Sequence, residues 1–284
     1  MTSFHKMHGL GNDFVVLDLR QQSFHIDSQI ATRLADRHHG VGCDQILILR
    51  SAPEPHQQAS FEIWNSDGSQ AEQCGNGVRC LGLYLHMDNE TTDGKVTLAG
   101  PAGEVNIQCL ENSLVQVDMG KPVFAPELIP LQVPEVHDSK EHVTKEQSWY
   151  QLQTRQGVIQ VGAVSMGNPH ALLLLDNLEH TDITELGTTI SRHPAFPSGC
   201  NAGFCEIISP DEILLRVYER GAAETMACGS GACAAMAILR KAGKVNETVR
   251  VTQAGGVLII TWSGDTGPIM MTGPAEYVFK GTFI

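Results

Sequence analysis

Apolar residues in this chain fall into short runs, punctuated by Gly, Pro, Asp and Asn, and the same succession of runs is written twice. In the first half the pattern predicts a strand over Phe14–Leu19 and a helix over Ser28–His38 stopped by Gly40. Strands are predicted at Gln45–Leu49 and Phe61–Asn65, then a helix over Gly75–His86, then strands at Lys95–Leu98, Glu104–Leu110 and Leu114–Met119. The second half predicts strand Ala171–Leu175, helix Ile183–Arg192, strands Phe204–Ile208 and Ile213–Tyr218, helix Gly229–Lys241, and strands Thr248–Thr252, Gly256–Thr261 and Pro268–Met271. Gly255-Gly256 is a hairpin signal. The run Ala232-Cys233-Ala234-Ala235-Met236-Ala237-Ile238-Leu239 is apolar on every side. A helix without a polar face must be enclosed by protein. The helix begun at Gly75 (Val78, Leu81, Leu83, Leu85) is nearly as apolar.

Short motifs repeat in register with these elements. Cys74-Gly75-Asn76-Gly77 returns as Cys228-Gly229-Ser230-Gly231, offset by 154 residues, and Val96-Thr97-Leu98-Ala99-Gly100 as Val251-Thr252-Gln253-Ala254-Gly255, offset by 155. Gly11-Asn12 returns as Gly167-Asn168 at 156, and Asp67-Gly68 corresponds to Arg220-Gly221 at 153. Four matches in one order with nearly constant offset mark a duplicated domain. The expected fold is therefore α+β: two pseudo-symmetric domains, each a mixed, mostly antiparallel sheet or barrel wrapped around one buried helix. Between the halves Pro122, Pro126, Pro130 and Pro134 disfavour helix and mark a linker or edge segment. Asp138 to Gln147 is polar and expected to be exposed.

The 284 residues suit two domains at about 150 residues each. A net charge of −13 argues against nucleic acid or an anionic lipid surface as partner. The apolar runs, such as Ala171–Leu175, are core strands rather than membrane spans. No charged-then-apolar leader precedes His8-Gly9-Leu10-Gly11, so the chain reads as cytoplasmic. Its eight cysteines include no Cys-x-x-Cys pair. That spacing disfavours structural zinc and thioredoxin-like redox chemistry. Cys43, Cys80, Cys109, Cys200, Cys205 and Cys233 read as small buried hydrophobes.

Cys74 and Cys228 differ from these, because each stands directly before a Gly-x-Gly that opens a buried helix. The first helical N–H groups lack intrahelical acceptors and carry partial positive charge. A thiol there is expected to be acidified, and the neighbouring N–H groups can grip a carboxylate. Two such thiols, in matching places of a duplicated domain and facing one substrate carbon, suit inversion of a stereocentre. One thiolate removes a proton from one face and the other thiol delivers a proton to the opposite face. This chemistry requires no cofactor: no pyridoxal site has to be invoked, and the sequence offers no metal cluster.

Met7-His8-Gly9-Leu10-Gly11-Asn12-Asp13-Phe14, Asp67-Gly68-Ser69, Gln73-Cys74-Gly75-Asn76-Gly77, Gly167-Asn168-Pro169-His170, Glu219-Arg220-Gly221 and Ala227-Cys228-Gly229-Ser230-Gly231 together resemble the diaminopimelate epimerase family. The resemblance runs from Met7 to Met271-Thr272-Gly273-Pro274. It implies cofactor-independent interconversion of LL- and meso-2,6-diaminoheptanedioate, a step toward lysine and cell-wall precursors, with Cys74 and Cys228 as the acid/base pair. It further implies that Gly75 and Asn76, with Gly229 and Ser230, hold the carboxylate at the reacting centre. Asn12, Asn65, Asn168, Asn201 and Arg220 would hold the far amino-acid end, with Gln45 and Glu219 lining the site. His170 and Glu219 would support the cysteines or the substrate amine. The family's fold implies domains at 1–119 plus 273–284 and at 120–272, the final strand returning to the first domain, and a homodimer.

Some positions depart from the family pattern: Ser66 for Ala, Gln70 for Glu, Cys200 for Ala or Arg, and Ala223 for Gly, the last mattering only if that backbone needs positive φ. Three other readings stay open. A two-cysteine racemase of a cyclic amino acid such as proline shares the chemistry, but would not need the asparagines and Arg220 for a second amino-acid head. A metal-binding or redox-sensing protein would use Cys74 and Cys228 without regular ligand spacing. Dinucleotide binding through Gly9-Leu10-Gly11 is disfavoured, since no strand precedes it within a βαβ unit.

Overall fold

A computed structural model describes residues 2–22, 24–88, 90–91, 93–132, 149–155, 157–264 and 267–283. Pro134 and the polar stretch from Asp138 to Gln147 lie outside the described residues. The chain divides into two compact units, Met1–Asp118 with Thr272–Ile284, and Met119–Met271. The first runs β1 (Thr2–Gly9), β2 (Asn12–Asp18), α1 (Ser28–Ala35), β3 (Gln45–Arg50), β4 (Ala59–Asn65), β5 (Gln70–Ala71), α2 (Gly75–Met87), β6 (Lys95–Gly100), β7 (Gly103–Cys109) and β8 (Leu114–Asp118). The second runs β9 (Trp149–Thr154), β10 (Gly157–Ser165), β11 (Pro169–Leu174), α3 (Ile183–Ser191), β12 (Asn201–Ser209), β13 (Glu212–Glu219), β14 (Ala223–Thr225), α4 (Gly229–Lys241), β15 (Thr248–Gln253) and β16 (Gly256–Thr261). β17 (Met270–Pro274) leads back to the first unit, where β18 (Glu276–Phe283) lies.

The duplication is visible pairing by pairing. β1–β2 and β10–β11 are antiparallel, β2–β3 and β11–β12 parallel, and β3–β4 and β12–β13 antiparallel. β4 is parallel to β6 as β13 is to β15, and the hairpins β6–β7 and β15–β16 correspond. Beside β1 lies antiparallel β18, and in the same place beside β10 lies β9. One edge strand comes from the chain's last residues and the other from directly before its partner, so the repeat is complete in space although not in sequence order.

Each unit closes its strands around one helix of 13 residues. In α2 every residue from Asn76 to Leu85 is buried, and the helix packs on β1, β2, β6, β7, β8 and β18. In α4 Gly229, and Gly231 to Leu239, are buried against β10, β11, β12, β13 and β16. Small residues permit this enclosure: a Cβ at Gly82 would stand 2.6 Å from Ile107 Cγ2, so α2 lies on β7 at glycine distance.

Several element ends move. α1 stops at Ala35 rather than His38, because the Asp36 carboxylate accepts the His38 and His39 N–H groups at 2.7 and 2.9 Å and turns the chain. β17 starts two residues late, since Ile269 is already bonded to Met119 and Gly120. A strand does precede Gly9-Leu10-Gly11, but it returns at once as β2, with Leu10 at φ 57° and Gly11 at φ 82° in a two-residue hairpin loop. No helix follows to meet a pyrophosphate.

Ala223 adopts φ 62°. A left-handed non-glycine residue costs about 1–2 kcal/mol, while glycine loses about 0.5–1 kcal/mol more entropy on folding. Ala223→Gly is therefore expected to stabilise the protein by roughly 0.5–1 kcal/mol, read as a higher urea midpoint at unchanged slope. A lower midpoint would show that this loop carries no strain.

Candidate functional site

In the first unit Cys74 is the extended residue before α2, and its Sγ accepts the Gly77 N–H at 3.4 Å. The thiol thus occupies the position usually held by a Ser or Asp cap. The Gly75 and Asn76 amides head the same helix turn. The β1–β2 loop brings Asn12 to this turn: its Oδ1 lies 3.8 Å from Cys74 Sγ and accepts Asn76 Nδ2 at 3.3 Å. On the neighbouring strands Gln45 and Asn65 sit opposite each other in register, and Gln45 Nε2 donates to Asn65 Oδ1 at 2.8 Å. Asn65 Nδ2 donates to Ser69 Oγ at 3.0 Å.

The second unit repeats this frame with different groups. Cys228 precedes α4, its N–H donates to Gln253 Oε1 at 2.8 Å, and its Sγ lies 3.6 Å from Ser230 Oγ. Glu219 ends β13, receives the Thr225 hydroxyl at 2.6 Å and shares a hydrogen bond with the Cys228 thiol. His170 is fully enclosed, with Nε2 at 2.9 Å from Asn168 Oδ1 and 3.5 Å from Asn201 Nδ2. The shorter contact fits an Nε2–H donated to Asn168. Asn201 Oδ1 accepts the Arg220 N–H at 2.9 Å, and the Arg220 side chain donates to Ser198 O at 2.8 Å. Arg220, Arg192, Tyr218 and Gly199 line a cavity of about 560 Å³.

The sequence predicts acidified thiols at both helix starts, and at Cys228 the structure reverses that expectation. Burial, and then the Glu219 carboxyl beside it, push the Cys228 thiol well above its ordinary range. Two acids sharing a buried place cannot both ionise readily. Burial also raises Glu219, against the hydrogen bonds from Thr225 and Cys228. Cys228 therefore holds its proton in the free protein. Burial, helped by Arg220, lowers His170 to about 3, so this ring is a neutral donor that orients an asparagine. Cys43, Cys80, Cys200 and Cys205 are pushed by burial to about 12 and Cys109 to about 11, as buried hydrophobes should be. Cys233 is wholly buried as well. Among the described residues no group of three or more His, Cys, Asp or Glu is placed to hold a metal ion.

Cys74, Asn12 and Asn76 are thus brought together, as are Gln45 and Asn65. In the second unit Cys228, Glu219 and Ser230 form one group and Asn168, His170, Asn201 and Arg220 another. Sequence reasoning missed Gln253, which anchors the Cys228 backbone, Thr225, which binds Glu219, and Asp44, which binds Asn12. Gln253 carried a signal in its place in the repeated Val-Thr-x-Ala-Gly segment, and Thr225 in the Glu224-Thr225 pair between Gly221 and Ala227 that shares in the family resemblance.

A family model described as "Diaminopimelate epimerase" matches residues 4–125 and 162–278. A diaminopimelate epimerase of Teredinibacter turnerae is 45% identical over 278 residues, covering 98% of this chain and 97% of the relative. One of Xylella fastidiosa is 42% identical over 280 residues, covering 99% and 95%. Among solved structures, a hydroxyproline epimerase from Agrobacterium vitis superposes with a TM-score of 0.70 at 16% identity, covering 99% of this chain and 91% of the other. A probable proline racemase from Agrobacterium radiobacter gives 0.72 at 17% identity, covering 100% and 93%. At such identities these structures speak to the fold alone.

Proposed function

Since the chain belongs to the diaminopimelate epimerase family, we propose that it interconverts LL- and meso-2,6-diaminoheptanedioate by two-base proton transfer between Cys74 and Cys228. The observation that carries this reading is the pair of thiols at the N-termini of two enclosed helices in duplicated units. Each inversion removes the α-proton to one sulfur and delivers a proton from the other, so one turnover leaves the two protonation states exchanged. Cys228, protonated beside Glu219, starts as the acid in the free enzyme. Charge developing on the reacting carboxylate is met by the Gly75, Asn76, Gly229 and Ser230 amides, fixed donors that need no reorganisation. Asn12, Asn65, Asn168, Asn201 and Arg220, with Gln45 and Glu219, discriminate the second amino-acid head. Asparagine supplies both donors and acceptors to a zwitterion, and the Arg220 fork suits a carboxylate.

The test is incubation of reduced, metal-stripped protein with the LL isomer in D₂O. The meso isomer should form with one deuterium gained at the α-carbon, and proline should be left untouched. Inversion of proline instead would move the assignment to the cyclic amino-acid racemases. Loss of activity on metal stripping would favour a metal-dependent reaction. On the family resemblance we also propose a cytoplasmic homodimer; sedimentation at micromolar concentration should give twice the chain mass, and a monomer would remove that part.

Mild oxidation without substrate should inactivate the enzyme by joining Cys74 to Cys228, with activity returning on reduction. Peptide mapping that finds another pairing in the inactive protein would count against two thiols serving one carbon.

A further inference from the structure

The matched asparagines Asn12 and Asn168 are held in opposite senses. In the second unit Asn168 Oδ1 is taken by His170 Nε2 at 2.9 Å. In the first unit Asn12 Nδ2 is taken by Asp44 Oδ2 at 2.9 Å, which leaves Oδ1 to face Cys74 Sγ and Asn76 Nδ2. An ionised carboxylate accepts and never donates, so Asp44 admits only one orientation of the Asn12 amide.

We propose that Asp44 is a positioning residue for the reaction, acting through Asn12: it fixes Asn12 Oδ1 as the acceptor against the Cys74 thiol, so that Cys74 stands as a thiol in the free protein and gives its proton up to solvent as substrate binds, which leaves it the base opposite the protonated Cys228. This rests on the assignment of Cys74 as one of the two bases.

The surroundings of Asp44 support a fixed role. Its Oδ2 also accepts the Asp13 N–H at 3.1 Å, its own N–H donates to Asp13 Oδ1 at 3.1 Å, and its Oδ1 accepts Arg37 Nη2 at 2.7 Å. Arg37 reaches Asp13 as well, at 2.7 and 3.1 Å, and Lys6 completes the group from β1. Lys6 on β1, Asp13 on β2, Arg37 after α1 and Asp44 before β3 are the charged groups facing this place. Burial disfavours ionisation of Asp13, but the hydrogen bonds from Arg37 and Lys6 outweigh it and hold Asp13 at about 2. The two cations thus let two carboxylates stand side by side. The matching position in the second unit is Cys200, buried and donating weakly to Ile190 O, which offers no such acceptor; there the histidine does the orienting.

Asp44→Ala frees the amide to turn, so its N–H₂ spends time at the sulfur. A donor there favours thiolate where an acceptor favoured thiol. Iodoacetamide should then alkylate Cys74 about three- to tenfold faster at neutral pH, read by peptide mass mapping without substrate. Turnover should fall about ten- to a hundredfold, KM should rise as well because Asn12 also faces the substrate's second head, and the acidic limb of turnover should move to lower pH. Asp44→Glu should restore both readings toward wild type. In an Asn12→Ala background Asp44→Ala should add nothing to the Cys74 rate. An unchanged Cys74 rate in Asp44→Ala, or the same increment without Asn12, overturns the proposal. If Asp44→Ala melts or fails to fold, Asn12→Ala alone carries the test, because it removes the acceptor directly and must speed alkylation; no change there overturns the proposal equally. Alkylation needs no epimerase activity, so failure here is distinct from failure of wild type to invert diaminopimelate.

Discussion

Cys74→Ala and Cys228→Ala each lower inversion by roughly 10²–10⁴-fold, the range that positioned proton transfer contributes. The two variants should also differ in what they retain. With one sulfur left, proton abstraction from one face survives and the carbanion is quenched from the same side. Each variant should then exchange the α-proton with D₂O from a single isomer, and the two variants should choose opposite isomers. Mass-resolved chiral chromatography reads both at once. Exchange of both isomers in either variant, or near-normal inversion, would defeat a two-base mechanism. Both variants should fold, Cys74→Ala giving up the Gly77 cap at a cost of about 1 kcal/mol and Cys228→Ala the contacts of one small buried side chain.

Arg220→Ala raises KM by roughly 10- to 150-fold, from the loss of about 1.5–3 kcal/mol of hydrogen bonding to a charged group. Its side chain reaches the cavity beside Arg192 and Tyr218 and, among the described residues, spends one donor, Nη1, on Ser198 O, so the fork retains N–H groups for a carboxylate. Arg220→Lys keeps the charge but loses the planar fork, and should cost about tenfold. In both variants turnover at saturation should change far less than KM if, as proposed, the group acts on the end of the substrate remote from the reacting carbon. A fall in kcat with KM unmoved would place Arg220 at the reacting centre instead. A truncated substrate lacking the far carboxylate should be as poor for wild type as for Arg220→Ala.

Much of this architecture can be read from residue order. α4 is found with both ends correct because its apolar run is bounded by Cys228-Gly229 and by Arg240-Lys241 before Gly243. The duplication follows from four short motifs and holds pairing by pairing. The strands missed include the two- and three-residue β5 and β14, the strand β9, and three longer ones with an irregular pattern. β1 slips register between Lys6 and Met7, and β18 (EYVFKGTF) has no fully buried residue, with Val278 and Phe279 exposed. β10 is buried only along its second half. At the site, residue type and helix position identify the two thiols, whereas the protonation of Cys228 does not follow from them. It depends on Glu219, placed by a sheet pairing, and on burial from all sides. Asp44 is equally silent in sequence, where it reads as a turn residue before a strand; its partner is 32 positions away.

The first unit is interrupted in sequence by the whole of the second, and that has a consequence for how the protein is made. The unit carrying Cys228 is one continuous stretch, able to fold as it leaves the ribosome. The unit carrying Cys74 must wait. β18, its partner for β1, follows the whole of the second unit, and the buried Arg79 of α2 donates through Nε to Pro274 O, which also follows it. Until then β1 presents an unpaired edge to other chains, for as long as it takes to translate the whole second unit. The vulnerable period of biosynthesis therefore belongs to the half of the enzyme that was begun first.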